Sequence, residues 1–268
     1  MSPADRGGLG LPPMPKALAA AAEGALSART LPPGASPGLV WDRYPRVWRG
    51  AAIGAAKERA DFLSAFVRDM NSADVKAAGE GALSAVRARL VAAGAISRSF
   101  TLTAPLCTGL GLEHPTENGF AFDAVHGLPM LAGTGLKGLA RAAAQALGEP
   151  EAVVTALLGS DVPDGHGSGD ATSPGTVRFW GAWPAVWPKL RVELINPHHP
   201  SYQQDQAGSY AGEPEASRGK RPRRRQVADY TEEPVPVSFL ALDHSQDLVV
   251  FLDALPGRSP DLERVWWW

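Results

Sequence analysis

The chain has 268 residues, enough for one large domain or two small ones with a proper buried core. Apolar residues make up 44% and charged ones 20%, which excludes a disordered chain, and no apolar run approaches the ~20 residues of a transmembrane helix. A formal net charge of −2 excludes a protein that coats nucleic acid over its whole surface, yet leaves room for a local basic face. The first residues, Met1 to Gly8, lack the charged-then-apolar build of a secretion signal, and the single Cys107 excludes an internal disulfide. A cytoplasmic setting without membrane contact is therefore expected.

Residues 1–45 are rich in Pro, Gly and Ala and are expected to form a flexible arm with one short helix near Lys16–Leu26. The remainder, 46–268, reads as one domain, with a helical extension over 46–96 and a core over 97–268. In the extension Ile53, Ala56, Ala60, Leu63, Val67 and Met70 recur at helical spacing, and Leu83, Val86, Leu90 and Val91 do so again. Arg98–Leu106 alternates like a half-buried strand, and Gly119–Ala124 and Leu128–Leu131 read as short strands around a turn at His126-Gly127. A helix over Thr134–Leu147 stops before Gly148 and Pro150, and Ala152–Leu158 is again helix-like. Gly159–Gly175 is a Gly/Asp/Ser loop, after which Thr176–Gly181 and Leu190–Ile195 are expected strands. A polar, basic insertion over 203–233 is expected not to pack, and Val235–Ala241 and Leu248–Leu252 read as a final strand pair. Ser259-Pro260-Asp261 is a helix N-cap signature, but the ten residues from Ser259 to Trp268 are few for a stable helix. That element is expected to be one begun and cut short, the alternative being an end that docks on a partner. Three consecutive tryptophans, ~100° apart on a helix, cannot all face one core. Strands outnumber long helices, so the fold class is α+β.

The richest chemistry lies where the apolar run Leu128–Leu131 meets the loop Gly133-x-Gly135-x-x-Gly138 and the loop opens a helix. Amides at a helix start, from Gly133, Thr134, Gly135 and Gly138, together with Lys137 and Arg141, suit an anionic oxygen such as phosphate. The spacing fits the dinucleotide fingerprint, but that fold needs a second parallel strand soon after the helix, with an acidic residue ~20 positions on. No such strand is legible here. A P-loop fails because Lys137 is followed by Gly138 rather than Ser or Thr. Two readings stay open beside the cofactor one: glycines that let a helix pack close to a strand, and a loop that binds a polynucleotide backbone.

Gly127-Leu-Pro-Met-Leu-Ala-Gly-Thr-Gly-Leu-Lys-Gly-Leu-Ala-Arg141 resembles the signature of RAMP proteins, the repeat-associated RNA-binding proteins of CRISPR systems. Gly109-Leu-Gly-Leu-Glu-His-Pro-Thr-Glu-Asn-Gly-Phe120, Asn196-Pro-His-His-Pro-Ser-Tyr202 and Pro234-Val-Pro-Val-Ser-Phe-Leu-Ala241 resemble, in order, further segments of one branch. That branch is the sixth subunit of the type III-B (Cmr) effector complex. The likeness runs from about Arg98 to Leu255. It implies a ferredoxin-like, RRM-type domain with insertions that holds CRISPR guide RNA near its 3′ end. The implied partners are guide RNA, target RNA and other Cmr subunits; no cofactor, metal or catalytic residue is implied. Ala132 and Gly135 stand where the family has proline and serine. The family's last strand follows its final helix, and this sequence stops within that helix, so the last strand is expected to be missing.

His114 and Glu117 lie in a loop where related subunits carry a residue that cuts RNA, so an endoribonuclease using them as base and acid is the alternative function. The blander expectation is that His114 shapes the loop and contacts RNA. His198-His199 suggests a metal site only weakly, since adjacent side chains point apart. Six cations lie within Arg218–Arg225, among them Arg221, Arg223, Arg224 and Arg225, an electrostatic handle for RNA in a slightly acidic chain. Cys107, flanked by apolar residues, reads as a core residue.

Overall fold

The structure, a computed structural model, describes residues 10–26, 29–160, 174–196, 236–258 and 260–268. The two helices expected from spacing in the extension form as α3 (Ala56–Met70) and α4 (Ala73–Ala92). In α3 the buried Phe62, Leu63, Phe66 and Met70 share one face, and Glu58 accepts the Ala55 amide at 2.8 Å to close the first turn. In front of them lie α1 (Lys16–Leu26), α2 (Pro37–Arg43) and a small hairpin, β1 (Trp48–Arg49) with β2 (Ala52–Ile53).

The stretch expected as an arm carries core residues. Helix α2 starts at Ser36, whose hydroxyl accepts from the Leu39 amide at 3.3 Å, with Pro37 at its first position. Leu31, Val40 and Trp41 are buried in the main core, and Trp41 packs with Phe62, Phe66 and Phe122 at centroid distances of 5.5–6.2 Å.

A four-stranded antiparallel sheet follows, in the order β3–β8–β5–β4: β3 (Ile96–Thr101), β8 (Asp247–Ala254), β5 (Val177–Pro184) and β4 (Leu131–Ala132). A separate antiparallel pair joins β6 (Leu190–Ile195) to β7 (Val237–Leu242). The expected final pair is therefore corrected: β7 and β8 are both strands, but β7 joins β6 while β8 lies between β3 and β5. Leu248, Phe251 and Leu252 of β8 are all buried, as a central strand with both faces covered requires. Strand β3, expected to be half-buried, is exposed along its length and forms the edge of the sheet, with only β8 beside it. Of the expected hairpin around His126-Gly127, a single bridge from Phe122 to Pro129 and the short β4 form.

Helices α5 (Gly133–Ala146) and α6 (Glu151–Leu158) lie between β4 and β5, and α7 (Leu262–Trp267) follows β8. Ala140 and Ala144 of α5, with Val154 and Leu158 of α6, build a second core against Val177, Leu252 and Val265. Asp261 caps α7 by accepting from the Arg264 amide at 3.0 Å. Trp266 and Trp268, the latter at the C-cap, pack against the second core while Trp267 is 80% exposed, so the three do not share one face. No helix among the described residues is long and apolar enough to cross a membrane.

Candidate nucleic-acid interface

Helix α5 begins directly at the glycine loop. Its N-cap, Ala132, is extended and has no side-chain oxygen for the first-turn amides, so no side chain caps this end. The three glycines sit in different surroundings. A Cβ on Gly133 would collide with the carbonyl of Phe179, so here glycine is what lets the helix start pack on β5. Gly135 and Gly138 have nothing within 4 Å of an added Cβ, lie in helical conformation and are exposed. Neither packing nor backbone geometry asks for glycine at those two positions, and each costs about 1 kcal/mol of helix stability relative to alanine. Thr134, beside them, is exposed as well.

This helix start opens onto a hollow of about 310 Å³ lined by Gly133, Thr134, Lys137, Gly175, Arg178 and Phe179. Lys137 is half-buried and has no ion-pair partner among the described residues. Arg141 is placed elsewhere: its Nη2 donates to the carbonyls of Gly159 at 2.6 Å and Leu158 at 3.4 Å, at the C-terminal end of α6. A cation there satisfies carbonyls left open by the helix and meets the negative end of its dipole.

Sequence reasoning missed Arg178 and Trp180. Arg178 is the direct cross-strand partner of Asp253 and donates to both its carboxylate oxygens, at 2.8 and 2.5 Å. Trp180 donates its indole N–H to the same carboxylate at 3.0 Å, and the Arg178 guanidinium lies over its ring, 4.3 Å from the centroid. Trp180 has no Cα partner on β8, because the register shifts between Phe179 and Gly181. Gly181 takes φ 134° there, and its Cβ would stand 2.7 Å from the Leu131 carbonyl. A glycine inside an aromatic strand is the one local sign of such a bulge. The Arg178–Asp253 pair has none, since its members lie 75 residues apart.

His114 is turned inward, stacked on Trp41 with parallel rings 4.0 Å apart. Its Nε2 donates to the Trp41 carbonyl at 3.0 Å, while Nδ1 accepts the Thr116 amide at 3.2 Å and lies 2.7 Å from the Thr116 hydroxyl. This tautomer is assigned from those neighbours. Burial pushes its pKa down, partly offset by the bond to the Trp41 carbonyl. Both ring nitrogens are thus occupied within the protein, and Glu117 is ion-paired with Arg59. The pair is not presented as a free base and acid. His198, His199, Arg221, Arg223, Arg224 and Arg225 lie outside the described residues. Among the described ones, no cluster of His, Cys, Asp and Glu could hold a metal ion. Every described strand pairing is antiparallel and α5 is followed by α6, so the parallel βαβ unit of the dinucleotide reading is not formed.

In comparisons with known proteins, the family model of the RAMP superfamily matches residues 99–255, more than half of the chain. Among solved structures, a chain of a type III-B Cmr-beta assembly bound to cognate target RNA is similar, with 17% identity and a TM-score of 0.44. The match covers 74% of this chain and 62% of that one, so the chain spans less than two thirds of that neighbour's length. No curated protein matches.

Proposed function

The chain belongs to the RAMP superfamily, and from that premise we propose that it is a non-catalytic RNA-binding subunit of a CRISPR type III-B (Cmr) ribonucleoprotein. In this reading it works in the cytoplasm, holding the guide RNA near its 3′ end so that foreign RNA can be recognised. The observation that carries the reading is the pair Gly135 and Gly138: exposed, helical, and without any protein neighbour that would exclude a side chain. Glycine at these positions, at the expense of helix stability, suits the close approach of an outside chain to the helix surface. The first-turn amides of Gly133, Thr134 and Gly135 are free to donate, whereas the Gly138 amide, expected as a donor too, is taken up within the helix. Lys137 supplies the charge for a phosphate and Thr134 a hydroxyl, while Arg141 braces α6 rather than touching RNA. Such contacts position a strand without reading its bases, as a carrier of many guide sequences requires. The four ordered sequence motifs support the Cmr branch, and the run β3–α5–β5 and β8–α7 suits a ferredoxin-like unit with β6 and β7 inserted. The engaged nitrogens of His114 favour a binding role over RNA cleavage.

The test is the salt dependence of binding by the full chain to single-stranded RNA. Removing one phosphate contact lowers the slope of log affinity against log salt by about 0.7 for a single strand. Lys137→Ala is expected to weaken binding and to flatten the slope by about that amount. A slope equal to that of the unmodified chain contradicts the proposal.

A further inference from the structure

We infer that Arg178, held over Trp180 by Asp253, is a stacking surface for a nucleobase of the strand whose phosphates meet α5. The inference rests on the phosphate reading of the α5 start and adds to it what the bases do. Three observations carry it. The guanidinium is fixed in plane, because its Nε and Nη2 are both tied to the Asp253 carboxylate. The guanidinium carbon lies 4.3 Å from the Trp180 ring centroid, yet the Arg178 side chain is 39% exposed. Arg178 also lines the same hollow as Gly133, Thr134 and Lys137.

The charges decide what this plane can bind. The Asp253 side chain is 5% exposed and lies directly against the guanidinium, so the positive charge is largely offset before any ligand arrives. A phosphate gains little from a cation already paired, whereas a base needs only a flat, polarisable, immobile surface. Guanidinium planes stack unpaired bases, and single-strand binders combine such platforms with a basic groove that tracks the backbone. The bulge at Trp180 fits the same role. A bulged residue leaves the ladder and re-aims its side chain, and here it puts the indole beneath Arg178. Stacking is blind to base identity, so the device suits a protein that accepts any sequence.

The experiment compares two probes on the full chain: a single-stranded oligouridylate of about ten nucleotides, and a sugar-phosphate strand of equal length without bases. The unmodified chain is expected to bind the baseless strand about tenfold more weakly, with an unchanged salt slope. Arg178→Lys keeps the charge but not the plane; it is expected to lose about tenfold on the oligouridylate and to bind both probes alike. In the unmodified chain, 4-thiouridine in the probe is expected to crosslink within residues 178–180, a readout that needs no variant to fold. Equal binding of the two probes, discrimination retained in Arg178→Lys, a salt slope lowered by that variant, or crosslinks confined elsewhere would each overturn the inference. Lys137→Ala separates the two levels. If it flattens the slope while the base effects are absent, only the stacking plane fails. If it leaves the slope unchanged, the phosphate reading fails first.

Discussion

Gly133 has no room for a side chain, whereas Gly135 and Gly138 have room and lack one. The same residue type within six positions thus answers to two forces, tight packing on β5 and access from outside. His114 shows the complementary case, a chemically capable side chain withdrawn from solvent. Its folded-state pKa lies below the ordinary value of 6.5, so the unfolded chain takes up the proton first as pH falls. Stability contributed by the neutral ring is complete above about pH 6.5 and is lost progressively below it. His114→Gln removes the titrating ring, the Trp41 stack and its fitted bonds. It is expected to cost about 2 kcal/mol at neutral pH and to make the loss of stability between pH 7 and about pH 5.5 shallower. Urea denaturation at both pH values checks this, and RNA affinity of the folded variant should match the parent. Full stability together with lost binding would restore His114 to the RNA surface.

Helix α5 joins the two themes, since its start faces the hollow and its later turns hold α6 in place. Arg141→Met is expected to lower the thermal midpoint, because the Leu158 and Gly159 carbonyls lose their donor. It should leave the salt slope of RNA binding unchanged, which distinguishes it from Lys137→Ala. The helices α3 to α6 were legible because their apolar spacing is local and repeated. Strand pairing was less so: β7 and β8 are both apolar and alternating, and nothing local tells β7 to choose β6 or β8 to enter the middle of another sheet. The Pro/Gly/Ala-rich beginning hid α2 because average composition there outweighs one well-placed Trp41. Within the site, the glycine loop and Lys137 could be read from sequence. The Arg178–Asp253–Trp180 group could not, because it exists only once register and bulge are known.

Among the described residues, Gly133, Thr134, Lys137 and Arg178 gather at one end of the four-stranded sheet, where β5 starts and β8 finishes. Two cores flank that sheet, so the hollow is framed by packed elements rather than by loops alone. An RNA backbone lying against α5, as proposed, requires Gly135 and Gly138 at the expense of helix stability. Gly138→Gln measures both sides at once, by thermal or urea unfolding and by titration with single-stranded RNA. A variant more stable by roughly 0.5 kcal/mol that binds RNA at least tenfold more weakly is expected. A variant equally or more stable with undiminished affinity would contradict it.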